Sequence, residues 1–135
     1  MKPLNIVMID DDRVQLLIAS KVIKSLDVPV SVVDFAEPDR ALEYLITAAG
    51  NDTLPDILFL DINMPVIDGW DLLDQFAAIK NVYPGKVKIY MLSSSINDQD
   101  IERARANPFI SDFVSKPLHK QVMAGLLPES MHVSR

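Results

Sequence analysis

The feature that most constrains this chain is an alternation, repeated five times, of a short β-branched apolar run with a segment of helical period. Asn5–Ile9 reads as a buried strand, and the apolar positions Val14, Leu17, Ile18 and Val22 that follow share one helix face. Val30–Phe35 is a second strand. Glu37-Pro38 then opens a helix that turns Leu42, Leu45, Ile46 and Ala49 inward, because a proline is tolerated in a first turn whose N–H groups have no partner. Gly50-Asn51-Asp52 ends it, and Ile57–Leu60 forms a third strand. Beyond Pro65 and Asp68-Gly69, a third helix carries Leu72, Leu73 and Phe76 on its inner side. Tyr83-Pro84-Gly85 is a turn, Val87–Leu92 a fourth strand, and Asp98–Ala106 a polar-faced helix that Pro108 should end. Asp112–Val114 makes a short fifth strand. A last helix spans about His119 to Leu127, weakened by Gly125, before a frayed tail. Such an order gives an α/β protein, a parallel sheet joined by right-handed crossovers with helices on both faces.

At 135 residues the chain is long enough for one domain with a real core, and no linker or internal repeat divides it. Its net charge of −6 opposes nonspecific nucleic-acid binding, which needs a basic surface to displace counterions. The absence of cysteine excludes disulfides, thiolate nucleophiles and sulfur-ligated metals. His119 and His132 stand at no zinc-like spacing and read as surface residues. The apolar start of the chain runs straight into three aspartates, unlike a signal peptide, and no stretch is long enough to span a bilayer. A soluble, cytoplasmic protein with neither a membrane nor a direct nucleic-acid partner is expected.

In an open parallel sheet, ligands bind outside the carboxyl ends of the strands. Asp10 and Asp11 directly follow the first strand, Asp61 the third and Ser93 the fourth, while Lys116 lies just past the fifth. Taken singly, the aspartate run reads as a solvated turn, Asp61 as a helix cap and Lys116 as a surface lysine. Taken together they converge on one edge. Carboxylates at a common mouth repel each other unless a cation joins them, and hard oxygen donors without histidine or cysteine suit Mg²⁺. A lysine can hold a phosphate oxygen as a point charge and a serine hydroxyl can donate to another. These groups together suit phosphoryl transfer to an aspartate.

With those residues in place, the chain resembles the receiver domain of two-component response regulators over nearly its whole length. Four blocks carry the resemblance: Ile9-Asp10-Asp11-Asp12; Leu60-Asp61-Ile62-Asn63-Met64-Pro65 with Asp68-Gly69; Met91-Leu92-Ser93-Ser94; and Val114-Ser115-Lys116-Pro117. The resemblance implies a flavodoxin-like (βα)5 doubly wound sheet of strand order 2-1-3-4-5, with the domain over residues 1–128 and a tail over 129–135. It implies Asp61 as phosphoacceptor and Lys116 as the phosphate-contacting lysine. Mg²⁺ would be held by Asp10, Asp11, Asp61 and the backbone carbonyl of Asn63, with Asp12 a bystander. It further implies a switch made of Ser93 and Phe113, a cis bond before Pro117, and a structural role for the turn at Gly69, where glycine can adopt positive φ. Three features depart from the usual pattern or stand near the site. Ser94 adds a hydroxyl at the phosphate entrance. The Asn107–Ile110 segment brings Pro108 and Phe109, the latter adding apolar surface beside the output face. Trp70 reads as a packing residue at the start of the third helix.

The function so implied is that of a single-domain response regulator, not a turnover enzyme. A sensor histidine kinase or histidine phosphotransfer protein would supply the phosphoryl group to Asp61, with slow autodephosphorylation tuned by Asn63 and Ser95. Phosphorylation would remodel the surface of helix 4, strand 5 and helix 5 for a downstream protein target, in a monomer or weak homodimer. The rival readings are an adaptor that works without phosphorylation, a phosphohydrolase passing through an aspartyl phosphate, and a flavin or nucleotide binder. The retained acids and lysine oppose the first, Asn63 stands where the second often has an acid, and the third lacks a glycine-rich loop after the first strand.

Overall fold

The structure, a computed structural model, describes residues 3–94 and 97–127. Ser95, His132 and the expected tail over 129–135 lie outside the described residues. Five strands and five helices alternate: β1 (Leu4–Ile9), α1 (Arg13–Lys24), β2 (Val30–Phe35), α2 (Pro38–Gly50), β3 (Ile57–Asp61), α3 (Gly69–Ala77), β4 (Lys88–Ser93), α4 (Asp98–Ala106), β5 (Asp112–Ser115) and α5 (Lys120–Leu126). All neighbouring strands pair in parallel, in the order β2-β1-β3-β4-β5. The expected flavodoxin-like arrangement is therefore the observed one.

Alternation of side chains along each strand divides the core into two layers. Val7, Ile9, Leu58, Leu60, Ile89 and Met91 face α2, α3 and α4, meeting Leu45, Leu72, Phe76 and Ala104. Ile6, Met8, Ile57, Phe59, Tyr90 and Leu92 face α1 and α5, meeting Leu16, Ile23 and Met123. Every residue of β3 is buried, as is expected of a central strand covered on both faces. The edge strands β2 and β5 are only partly covered.

Two helix faces differ from those expected. In α1, Val14, Leu17 and Ile18 do lie together, but on the solvent side, 63%, 57% and 41% exposed; Leu16, Ala19 and Ile23 face the sheet and Val22 sits between. This helix carries two apolar stripes, and periodicity alone does not choose between them. In α2, Leu45 and Ala49 point inward and Leu42 partly so, but Ile46 is exposed and the small residues Ala41 and Ala48 take the inner positions.

The helix boundaries follow local chemistry. Asp12 caps α1 by accepting from the N–H groups of Val14 and Gln15, while Asp68 and Asn97 cap α3 and α4. The residue before Pro108, Asn107, adopts extended backbone and stops α4 at Ala106. Phe109 is not an outward apolar residue on α4: it follows the helix, is half-buried and packs against the core layer under α3. Among the described residues, no helix is long and apolar enough to cross a membrane.

Candidate functional site

The sheet brings Asp10, Asp61, Ser93 and Lys116 to one edge for a simple reason. β1, β3 and β4 are parallel and in register, so their carboxyl ends lie side by side: Ile9 pairs with Leu60, and Asp61 with Leu92. Asp61 and Ser93 are the last residues of their strands rather than the first residues beyond them. The Ile62 N–H donates to the Leu92 carbonyl at 3.0 Å and the Lys116 N–H to the Ser93 carbonyl at 2.9 Å, which ties the three loops together at the mouth. The Lys116-Pro117 peptide bond is cis.

Among the described residues, the buried polar or charged side chains are Asp10, Asp61 and Ser93, so the polar burial of the domain is concentrated here. Lys116 reaches between the two acids, its Nζ 2.7 Å from Asp10 Oδ2 and 3.1 Å from Asp61 Oδ1. Asp11 is exposed, yet one carboxylate oxygen from each of Asp10, Asp11 and Asp61 lies within 4.8 Å of the others. Burying carboxylates without neutralising them is costly. Burial and the nearby charge of Asp10 accordingly push Asp61 up from 3.8 to about 6, against the pull of Lys116. Burial works against the charge on Lys116 too, but the hydrogen bonds and charges of Asp10 and Asp61 outweigh it and hold the ammonium above its ordinary range.

The three oxygen donors fit a hard divalent cation, since the set contains no nitrogen or sulfur ligand and the acids repel one another in its absence. Asp12, by contrast, is engaged in capping α1, and its own N–H donates to Asp10 Oδ1 at 2.9 Å, fixing that carboxylate. Asp61 is not a helix cap; Asp68 fills that position for α3. Asn63 sits at the rim, with its N–H donating to Asp61 Oδ1 and its amide nitrogen donating to Ser93 Oγ, both at 3.4 Å. Ser94 is exposed at the same edge. Phe113, on β5, is half-buried and borders a groove of about 480 Å³ between α4 and β5.

Gly69 serves the site in a way different from the expected positive φ, which it does not have. It starts α3 directly over the end of β3: a Cβ there would overlap the Asp61 carbonyl oxygen and stand 2.9 Å from the Ile62 Cα. Its N–H donates to the Ile62 carbonyl at 2.9 Å. Glycine is required for this close approach. The positive φ falls instead on Val66, whose side chain is fully exposed in the loop between β3 and α3. Trp70, next to Gly69, is buried, as a packing residue should be, and the Arg103 guanidinium of α4 lies 4.5 Å from its ring centroid. No motif in the sequence announces that pair, because its two members belong to helices separated by β4.

The doubly wound parallel sheet thus carries an acidic mouth at its carboxyl edge, with a lysine set between two carboxylates. The family model for the response regulator receiver domain matches residues 6–127, and the chain belongs to that family, the receivers of two-component signalling. Among solved structures, it is similar to a two component response regulator from Cytophaga hutchinsonii, with 27% identity and a TM-score of 0.85 over 93% of this chain and 95% of that one. A response regulator receiver protein from Dyadobacter fermentans is 25% identical, with a TM-score of 0.77 over 88% of this chain and 91% of the other. Among curated proteins, the probable methanogenesis regulatory protein FilR2 of Methanothrix harundinacea is 24% identical over 117 residues, covering 86% of this chain and 74% of that protein.

Proposed function

We propose that this receiver takes a phosphoryl group on Asp61 from the phosphohistidine of a sensor histidine kinase or histidine phosphotransfer protein, in a reaction that needs Mg²⁺. The observation that carries the reading is the placement of Lys116 between Asp10 and Asp61, with Asp11 in reach of both acids. In the transfer, the donor's P–N bond breaks, a P–O bond forms to an Asp61 carboxylate oxygen, and the freed imidazole takes up a proton. Asp10, Asp11, Asp61 and the carbonyl of Asn63 are the residues that would hold the cation, which when bound offsets negative charge on the phosphoryl oxygens. Lys116 neutralises a further oxygen, and Ser93 offers a hydroxyl to a third. Water later hydrolyses the acyl phosphate, so the same mouth works as a slow autophosphatase without being a turnover enzyme.

The output follows from the same neighbourhood. Ser93 ends β4 and Phe113 lies on the adjoining strand beside unfilled space, so a movement of the hydroxyl toward a phosphoryl group gives the phenyl ring room to turn inward. Phenylalanine can turn in without burying an unsatisfied hydroxyl. The receiver domain over 1–128 thereby changes the α4-β5-α5 surface for a downstream protein, acting as a cytoplasmic monomer or weak homodimer. α1 starts just after Asp10 and Asp11 and exposes Val14, Leu17 and Ile18, an apolar strip suited to a helical phosphoryl donor.

The direct test is intact mass after incubation with acetyl phosphate and Mg²⁺. Wild type gains one phosphoryl group, whereas Asp61→Asn and wild type in EDTA gain none. An adduct that survives Asp61→Asn removes Asp61 from the reaction.

A further inference from the structure

We propose that Arg103 and Trp70 form a latch that holds α4 in the resting position and opposes the phosphorylated conformation. The inference rests on the acceptor reading of Asp61 and adds to it a regulatory element on the opposite side of α4 from Phe113.

α4 is weakly anchored. Of its nine residues only Ala104 is buried, with Ile101 half-covered. On one flank it borders the groove of about 480 Å³ that Ile101, Ala104, Ile110 and Phe113 help to line, so packing does not wedge it there. On the other flank, Arg103 covers the face of the buried Trp70 ring at 4.5 Å, a distance at which a guanidinium is attracted to an indole.

Trp70 is a firm post for that contact. It adjoins Gly69, whose backbone rests on Asp61 and Ile62 and whose N–H is bonded to the Ile62 carbonyl, so the ring is referenced to the phosphoacceptor strand. α4, in turn, begins at Asp98, five residues beyond Ser93. Displacement of Ser93 toward a phosphoryl group shifts the end of β4 and its partner β5, which lines the groove beside α4, while Trp70 stays with β3. The helix then moves into the groove and Arg103 leaves the ring. A contact present in one conformer and lost in the other biases the equilibrium by its own strength. For an exposed cation–π pair this corresponds to a bias of about two- to fivefold.

Arg103→Met is the chosen variant because it retains an unbranched apolar stem over the ring and removes only the charge. Trp70 is the sole tryptophan, so emission reports the latch directly. Wild type and variant are titrated with beryllofluoride in excess Mg²⁺, following Trp70 emission and its quenching by iodide, with acetyl phosphate labelling followed in parallel by intact mass. The expected result is an emission change in wild type on binding, a resting spectrum in Arg103→Met already shifted toward the bound one, and two- to fivefold tighter binding of the mimic; Arg103→Lys falls between. Equal or weaker binding by Arg103→Met, or wild-type emission and quenching that do not respond to a bound mimic, overturns the latch and leaves the acceptor reading intact. Absence of an acetyl phosphate adduct on wild type overturns the acceptor reading, and the latch falls with it.

Discussion

Replacing Asp61 with asparagine should stabilise this protein at neutral pH while abolishing its chemistry. Asp61 is 3% exposed and its carboxyl is pushed from 3.8 to about 6, first by burial and then by Asp10. Between those two values the folded chain holds a proton that the unfolded chain has released, so stability falls as pH rises through that window. Above pH 6 the whole deficit is present. The separation between 3.8 and about 6, at about 1.4 kcal/mol per pH unit, is worth about 3 kcal/mol. Asparagine has nearly the shape of the protonated acid, still offers an oxygen to Lys116, and cannot ionise. Urea unfolding in EDTA should therefore show Asp61→Asn more stable than wild type by up to about 3 kcal/mol at pH 7.5, with an unchanged denaturant slope. The difference should shrink through pH 5 and vanish near pH 4. Millimolar Mg²⁺ should close the gap from the other side, because a ligand bound only by the folded wild type stabilises it by mass action. A variant no more stable than wild type at pH 7.5, or equally favoured at pH 4, would refute the claim that the mouth stores electrostatic strain.

Other perturbations read the site and its supports separately. Lys116→Met removes the ammonium between Asp10 and Asp61, so Mg²⁺ affinity measured by Trp70 fluorescence should rise severalfold while acetyl phosphate labelling falls at least tenfold. Gly69→Ala forces a methyl group against the Asp61 carbonyl and should cost about 1–3 kcal/mol in denaturant unfolding. Val66→Gly relieves a β-branched residue of positive φ and, net of the added chain entropy, should stabilise the fold by several tenths to about 1 kcal/mol. On α1, Leu16→Ala should cost about 2–4 kcal/mol, whereas Leu17→Asp should leave stability and acetyl phosphate labelling nearly unchanged and slow only transfer from a protein donor.

The contrast between Leu16 and Leu17 shows what a sequence of this type can and cannot specify. The constellation at the mouth was legible because topology does the work: once five strands run parallel, whatever follows their carboxyl ends must converge, and Asp10, Asp61, Ser93 and Lys116 needed no knowledge of side-chain contacts to be grouped. Helix phase is a finer property. α1 offers one stripe through Val14, Leu17 and Ile18 and another through Leu16, Ala19 and Ile23, both compatible with a period of 3.6, and the phase is set by the Asp12 cap and by how the helix leaves β1. Small residues also hide core positions from a hydrophobicity pattern, as Ala41 and Ala48 do in α2, while Ile46 advertises one it does not occupy. Gly69 was found for an incorrect reason: glycine next to an aspartate suggests a turn, but what excludes a side chain there is the backbone of Asp61, a neighbour in space eight residues away. The misplaced residues also share a consequence. An apolar stripe that the fold leaves uncovered on α1 follows directly after Asp10 and Asp11, so side chains that a period of 3.6 alone would assign to the core instead form an exposed surface on the helix that leaves the acidic mouth.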